Sequence, residues 1–230
     1  MKKGSNNHLY VIGYWSSILF TLTGILYGIS MGILISNYMI PKYDHLEQFI
    51  SLVDGNFIDL YTFSQLFAFI STIFYMVMLS SIHESVETNQ KIYSRLSNIF
   101  GIGFMILACL NYFVQFSIVR LKLNAGVTSD LENFVQFNPL SFSFAMNILA
   151  WSLFLGLSTF FLGMIYKGKG LNFAIRVSFY ITSVFCFIGF ISFILDIQSL
   201  MTVFQMGMTF GLTVGAIFLA IAFRRRIKRI

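Results

Sequence analysis

Charge is scarce in this chain of 230 residues: Asp, Glu, Lys and Arg make up 10% of it, where a soluble domain carries roughly 25%. So little charge excludes a water-soluble fold. Proline occurs twice and glycine 17 times without a repeat, which excludes collagen-like and low-complexity chains. Cysteine is limited to Cys109 and Cys186, both deep in apolar stretches, where they read as small apolar fillers rather than as a disulfide framework. The three histidines, His8, His45 and His83, are far apart and lack the spacing of a zinc site, so neither a metal nor a cofactor is expected. No HExxH, no Cys paired with a His and no two intramembrane carboxylates occur. A serine nucleophile with its base is not expected either, no catalytic residue is assigned, and the chain does not read as an enzyme.

What the chain has is apolar surface: 57% hydrophobic residues, with 28 Phe and 11 Tyr, and a mean hydropathy of +0.79. The charged residues bound six uncharged runs, at 4–41, 60–83, 96–119, 133–166, 177–195 and 197–223. A bilayer core of about 30 Å needs about 20 helical residues, and each run approaches or exceeds that length. The runs lack the alternation of a barrel strand. The predicted fold class is therefore all-α: one integral membrane domain over 1–230, a six-transmembrane-helix bundle with spans near 9–36, 61–82, 98–119, 140–166, 177–195 and 198–223. Met1-Lys2-Lys3 before an apolar stretch resembles a signal peptide, but the stretch is too long for one and is read as the first span.

Six spans put both termini on one face. On it fall Lys2, Lys3, Lys91, Arg95, Lys167, Lys169, Arg176, Arg224, Arg225, Arg226, Lys228 and Arg229, 12 of the 15 bases; Lys42, Arg120 and Lys122 fall on the other. Basic residues beside spans stay in the cytoplasm, so both termini are predicted to be cytoplasmic in a cell (cytoplasmic) membrane. The basic excess belongs to the membrane face and not to nucleic-acid binding. The lipid bilayer is the expected partner, and the tail Arg224-Arg225-Arg226-Ile227-Lys228-Arg229 can draw anionic lipid headgroups.

In the first outer loop Leu46, Phe49, Ile50, Val53 and Phe57 form a helical apolar stripe, with Asp44 placed to cap it and Gly55 to end it. In the second, Ser129-Asp130-Leu131-Glu132 fits a capping box, and Pro139 opens the fourth span. These short amphipathic helices are expected either to lie on the outer membrane surface or to fold over the bundle. Tyr10, Tyr14, Trp15, Tyr38, Tyr43 and Tyr61, near span ends, read as the aromatic belt. Gly24, Gly28 and Gly32 form a ridge without side chains on the first helix, and Gly207, Gly211 and Gly215 one on the sixth. Depth counting sets Gly28 against Gly207 and Gly24 against Gly211, which predicts that helices one and six touch there and close a ring. A homodimer or a larger membrane complex is the other use of such a ridge.

Amides in hydrocarbon need partners. Asn111 and Gln115 share a face of the third span, and Asn147 and Trp151 a face of the fourth, at depths that allow a direct Asn/Gln network. Gln65, Gln205 and Tyr27 fall in the same outer half, and Asp196 lies at the turn between spans five and six. Together these eight are the candidate ligand-binding set, either as interhelical glue or as the lining of an outward-facing cavity.

The run Asn111-Tyr112-Phe113-Val114-Gln115, Gly126 with the acidic turn after it, and Asn138-Pro139 resemble a family of bacterial six-span integral membrane proteins of uncharacterised activity, over about the middle third of the chain. The resemblance implies a bacterial cytoplasmic membrane protein and lends no residue role. The sequence thus reads as a multi-pass membrane protein that binds or passes a small apolar or amphiphilic ligand, with a non-catalytic regulatory or scaffold subunit as the alternative.

Overall fold

The computed structural model describes residues 3–38, 46–53 and 55–228. Among them there is no strand, and six helices are long and apolar enough to cross a membrane. In a bilayer core every backbone amide must be satisfied within the helix, and the spanning helices, which contain neither Pro41 nor Pro139, allow it. Hydroxyls inside the spans bond their own helix: Ser17 donates to the Gly13 carbonyl at 2.7 Å, Ser30 to Leu26 at 2.8 Å and Thr159 to Leu155 at 2.8 Å, so serine and threonine are tolerated in lipid.

The spans are Lys3–Tyr38, Gly55–Ser85, Lys91–Val114 with its continuation, Phe142–Ile148 with its continuation, Leu171–Ile194 and Gln198–Ile227. Several reach beyond the expected bounds, because the backbone stays helical where the sequence turns polar outside the hydrocarbon. Two are interrupted by wider turns. The third passes through a π-helical stretch, Gln115–Val119, before Arg120–Asn124, and the fourth through Leu149–Phe154 before Leu155–Ile165. Each π turn fits one extra residue into the helix and so rotates the faces of the next helical segment relative to those of the last.

Each span packs on its sequence neighbours, and the first packs on the sixth, so the six form a closed ring. Its centre is filled. Phe20, Tyr75, Phe104, Leu155, Phe179 and Leu212, one from each span, belong to a single buried cluster. Phe104 meets Tyr75 edge-on at 5.5 Å and Trp151 edge-on at 4.9 Å, the geometry that aromatic quadrupoles favour.

The ring closes as expected, but not through facing glycine ridges. A methyl group on Gly207 would strike Phe185, one on Gly211 would lie 2.9 Å from the Ser178 carbonyl oxygen, and one on Gly215 would meet Phe179 at 3.0 Å. All three neighbours are on the fifth span. The tight turn at residues 195–197 forces spans five and six side by side, so the small face of the sixth is taken by its hairpin partner. Gly24, Gly28 and Gly32 have no atom within 4 Å of such a methyl. The first span meets the sixth at Gly13, whose added methyl would lie 2.5 Å from the Phe223 ring, and at Tyr10, 6.4 Å from the same ring.

The loops at the end opposite the termini fold over the bundle. A second buried cluster joins Leu34 of the first span, Phe49 of the short helix Leu46–Leu52, Phe57 and Tyr61 of the second span, Val119 of the third, and Leu131 and Val135 of the loop between spans three and four. Three local expectations change. Gly55 begins the second span instead of merely ending the short helix. Asp130 adopts a left-handed φ of 59° before a single 3-10 turn, Leu131–Asn133, and no side-chain cap forms there, so the capping box is not made. Tyr61 is buried against the loops and is not part of an interfacial belt. Asp44, Tyr43 and the Tyr38 side chain lie outside the described residues.

Candidate functional site

Gln115 is the hub of the loop end. It sits at the first residue of the third span's π turn, wholly buried. Its Oε1 accepts from the Tyr61 hydroxyl at 2.6 Å and from the Gln136 backbone N–H at 3.1 Å. Its Nε2 donates to the Phe134 carbonyl at 2.8 Å and to Ser143 Oγ at 3.3 Å. One side chain therefore ties together the second, third and fourth spans and the backbone of the covering loop. Asn111, a turn deeper, donates from Nδ2 to Gln136 Oε1 at 3.3 Å. The loop's return into the fourth span is fixed by two side chains. Asn138 donates to the Glu132 carbonyl at 2.9 Å and accepts from the Leu140 N–H at 3.0 Å, while Ser141 caps the helix by accepting from the Phe144 N–H at 2.9 Å. Pro139 stands three residues before that helix, exposed in the turn.

The direct Asn/Gln network expected between the third and fourth spans does not form, and the third-span amides bond the covering loop and Ser143 instead. No hydrogen bond joins Asn111 to Asn147, because the loop inserts its own polar groups between the third-span amides and their expected partners. Trp151 donates from Nε1 to the Tyr112 hydroxyl at 2.7 Å, and Tyr27 is half-buried with its ring 6.4 Å from that of Tyr112. Gln65 is wholly buried beside Ser64, 3.5 Å from its hydroxyl. The amide oxygens of Gln65, Asn111 and Asn147 are buried without a hydrogen-bond partner. Gln205 and Asp196 stand apart. Gln205 is exposed, in a shallow groove of about 630 Å³ along the sixth span with Met206, Thr209 and Phe210. Asp196, exposed and with a left-handed φ of 54°, makes the turn between spans five and six, where the Ile197 N–H bonds the Ser192 carbonyl at 2.9 Å.

Sequence reading passed over three contributors. Tyr61 was assigned to the belt, and Gln136 and Ser143 carried no depth signal, since one lies in a loop and the other at a helix start. It also passed over a Gly-x-Ser-x-Gly string, Gly28-Ile29-Ser30-Met31-Gly32. This is no nucleophile elbow: it lies within a continuous helix, and Ser30 Oγ is spent on the Leu26 carbonyl at 2.8 Å. Among the described residues no three His, Cys, Asp or Glu side chains gather as a metal site requires.

At the opposite end, the one bearing the termini, a half-enclosed cavity of about 460 Å³ lies between the end of the second span, the turn entering the fifth and the end of the sixth. Leu171, Leu219, Ala222 and Phe223 give its lining apolar surface, Ser85, Tyr166 and Asn172 polar groups, and Lys169, Arg225 and Arg226 basic ones.

The fold defines a class, a six-helix multi-pass membrane protein in contact with the lipid bilayer. Comparison with protein-family models, with curated proteins and with solved structures returns no match.

Proposed function

We propose that this chain is a non-catalytic protein of the cytoplasmic membrane, both termini inside, that holds an amphiphilic small molecule at its basic end. The observation that carries this is the half-enclosed cavity of about 460 Å³, whose lining joins apolar Leu171, Leu219, Ala222 and Phe223 to basic Lys169, Arg225 and Arg226; a concave site of this size with apolar surface and a few charged groups suits a small amphiphile. The reading moves the ligand away from the outward-facing cavity expected from sequence, because the loops cover that end. Mass spectrometry of small molecules carried through purification in mild detergent tests it. An amphiphile retained by the native chain and lost from Ala222→Trp, whose indole fills the cavity, is the expected result; no retained molecule in either protein would overturn it. Asn111→Leu with Asn147→Leu leaves the bound molecule in place if it sits at the basic end and removes it if it sits among the spare amide oxygens. Orientation is checked by reporters fused to the two ends, both reading cytoplasmic.

The alternative, a subunit that scaffolds or regulates another membrane protein, draws on one observation. The first span is the least buried, 22% of its apolar window against 56% for the fourth, and among the described residues no atom lies within 4 Å of a methyl placed on its glycine ridge. A partner recovered stoichiometrically in mild detergent, and lost on Gly28→Leu, would favour it; a homodimer lost in the same way is the other outcome that uses the ridge. Kinship with the six-span bacterial family is part of the same proposal and rests on Asn111-Tyr112-Phe113-Val114-Gln115, Gly126 with the acidic turn after it, and Asn138-Pro139.

A further inference from the structure

The cavity at the terminal end has a charge asymmetry that an apolar ligand does not need. Among the described residues Lys169, Arg225 and Arg226 all line it, and no carboxylate does. Glu84, next to the cavity-lining Ser85, is exposed and outside the lining. All three are exposed, so their mutual repulsion is screened, but like charges gathered on one small volume still favour an anion that neutralises them.

The backbone adds to this. The fifth span, Leu171–Ile194, starts at the cavity with Gly170 as its N-cap, and no side chain caps it. Gly170, Leu171 and Asn172 line the cavity. The first N–H groups of a helix have no intrahelical acceptor, and its positive end favours an anion. Gly170 has a φ of 65°, a conformation glycine adopts freely, which lets the chain turn sharply from the Lys169 side chain into the helix. One of the three cations is held in place. The Arg226 guanidinium lies over the Tyr10 ring at 5.4 Å and reaches the Ser85 carbonyl at 3.5 Å, which holds its charge at the mouth before any ligand arrives.

From these observations together we infer that the cavity recognises a phosphate group, carried by an amphiphile whose apolar portion lies along Leu219, Ala222 and Phe223. Arginine and a helix terminus suit phosphate by geometry as well as charge, since both present diverging N–H donors. The inference rests on the amphiphile reading above and adds the headgroup to it.

The test uses the full chain in nanodiscs of zwitterionic lipid. A short-chain phosphatidic acid, a diacylglycerol with the same tails, and inorganic phosphate are the probes, and binding is read by native mass spectrometry and by thermal shift. The phosphatidic acid is expected to bind about 10-fold or more tightly than the diacylglycerol. Lys169→Gln with Arg225→Gln should erase that preference without weakening the tail-only probe, while Arg224→Gln with Lys228→Gln, equal in charge removed but outside the lining, should preserve it. Equal binding of the two lipids overturns the phosphate assignment and leaves the amphiphile reading standing. Absence of binding by either lipid overturns both. A preference lost equally in both double variants reduces the effect to the general positive charge of the face and overturns the site. Inorganic phosphate displacing the lipid at millimolar concentration identifies the free anion as sufficient; failure to displace it ties recognition to the lipid headgroup.

Discussion

The two ends of the second, third and fourth spans are joined by different chemistry. Toward the loops, one long amide, Gln115, spans a gap to a neighbouring helix and to a loop backbone at once. Toward the termini Gln90, in the turn between the second and third spans, donates to the Ile165 carbonyl at 2.9 Å, and between the helices themselves hydroxyls make the contacts. Ser97 donates to the Ser158 carbonyl and Ser158 to the Ser97 carbonyl, each at 2.9 Å, and the Tyr75 hydroxyl lies 2.9 Å from Ser158 Oγ. Serine suffices where two helix backbones touch. A glutamine is needed where an irregular backbone must be satisfied away from water, because a loop offers free N–H and C=O groups that no helix supplies.

If this contrast is right, Gln115→Leu should have the largest effect. It strands the Tyr61 hydroxyl, the Gln136 N–H and the Phe134 carbonyl at about 1–3 kcal/mol each before relaxation, so we expect a loss of about 3–5 kcal/mol in detergent unfolding and protease access to residues 125–141. A loss below about 1 kcal/mol would mean that the loop satisfies itself. Gly211→Ala should come next, at about 1–3 kcal/mol, because the added methyl meets backbone atoms of the fifth span at 2.9 and 3.0 Å and cannot be relieved by a rotamer. Ser158→Ala should cost about 1–2 kcal/mol, a few interhelical bonds of the usual membrane strength, without exposing the loops to protease. Smallest is Gly28→Ala, expected within about 0.5 kcal/mol of the native chain, since nothing lies near it. A larger change in a monomer would break the comparison of the two glycine ridges; the same change accompanied by loss of an oligomer would locate the first span's partner.

The glycine ridges show where the sequence stopped being informative. Spacing identified Gly207, Gly211 and Gly215 as a close-packing face, and they are one. Depth alone could not say which neighbour they meet, because in a ring each helix has two. Chain connectivity decided it: a three-residue turn leaves the hairpin partner nearest. The amides behave in the same way. Intramembrane position marked Gln115 and Asn111 as groups that need partners, but beside Tyr61 and Ser143 those partners came from residues 134–136, whose depth no hydropathy profile records. Asp196 and Gln205 were included for their polarity and depth and proved to be a turn residue and an exposed groove residue. The basic cavity was partly legible. The arginine tail was visible as a lipid-attracting run, whereas its meeting with Lys169 and the uncapped start of the fifth span depends on how three helix ends converge.

By itself the sequence determined the solvent, the number of crossings and the helical class, because apolar run length and charge placement act locally and additively along the chain. Only tertiary structure decided which small residues touch, that the loops plug one end, and that three cations share a volume at the other. Those outcomes depend on distances between segments far apart in the chain, set by short turns and side-chain reach, and no one-dimensional pattern contains them.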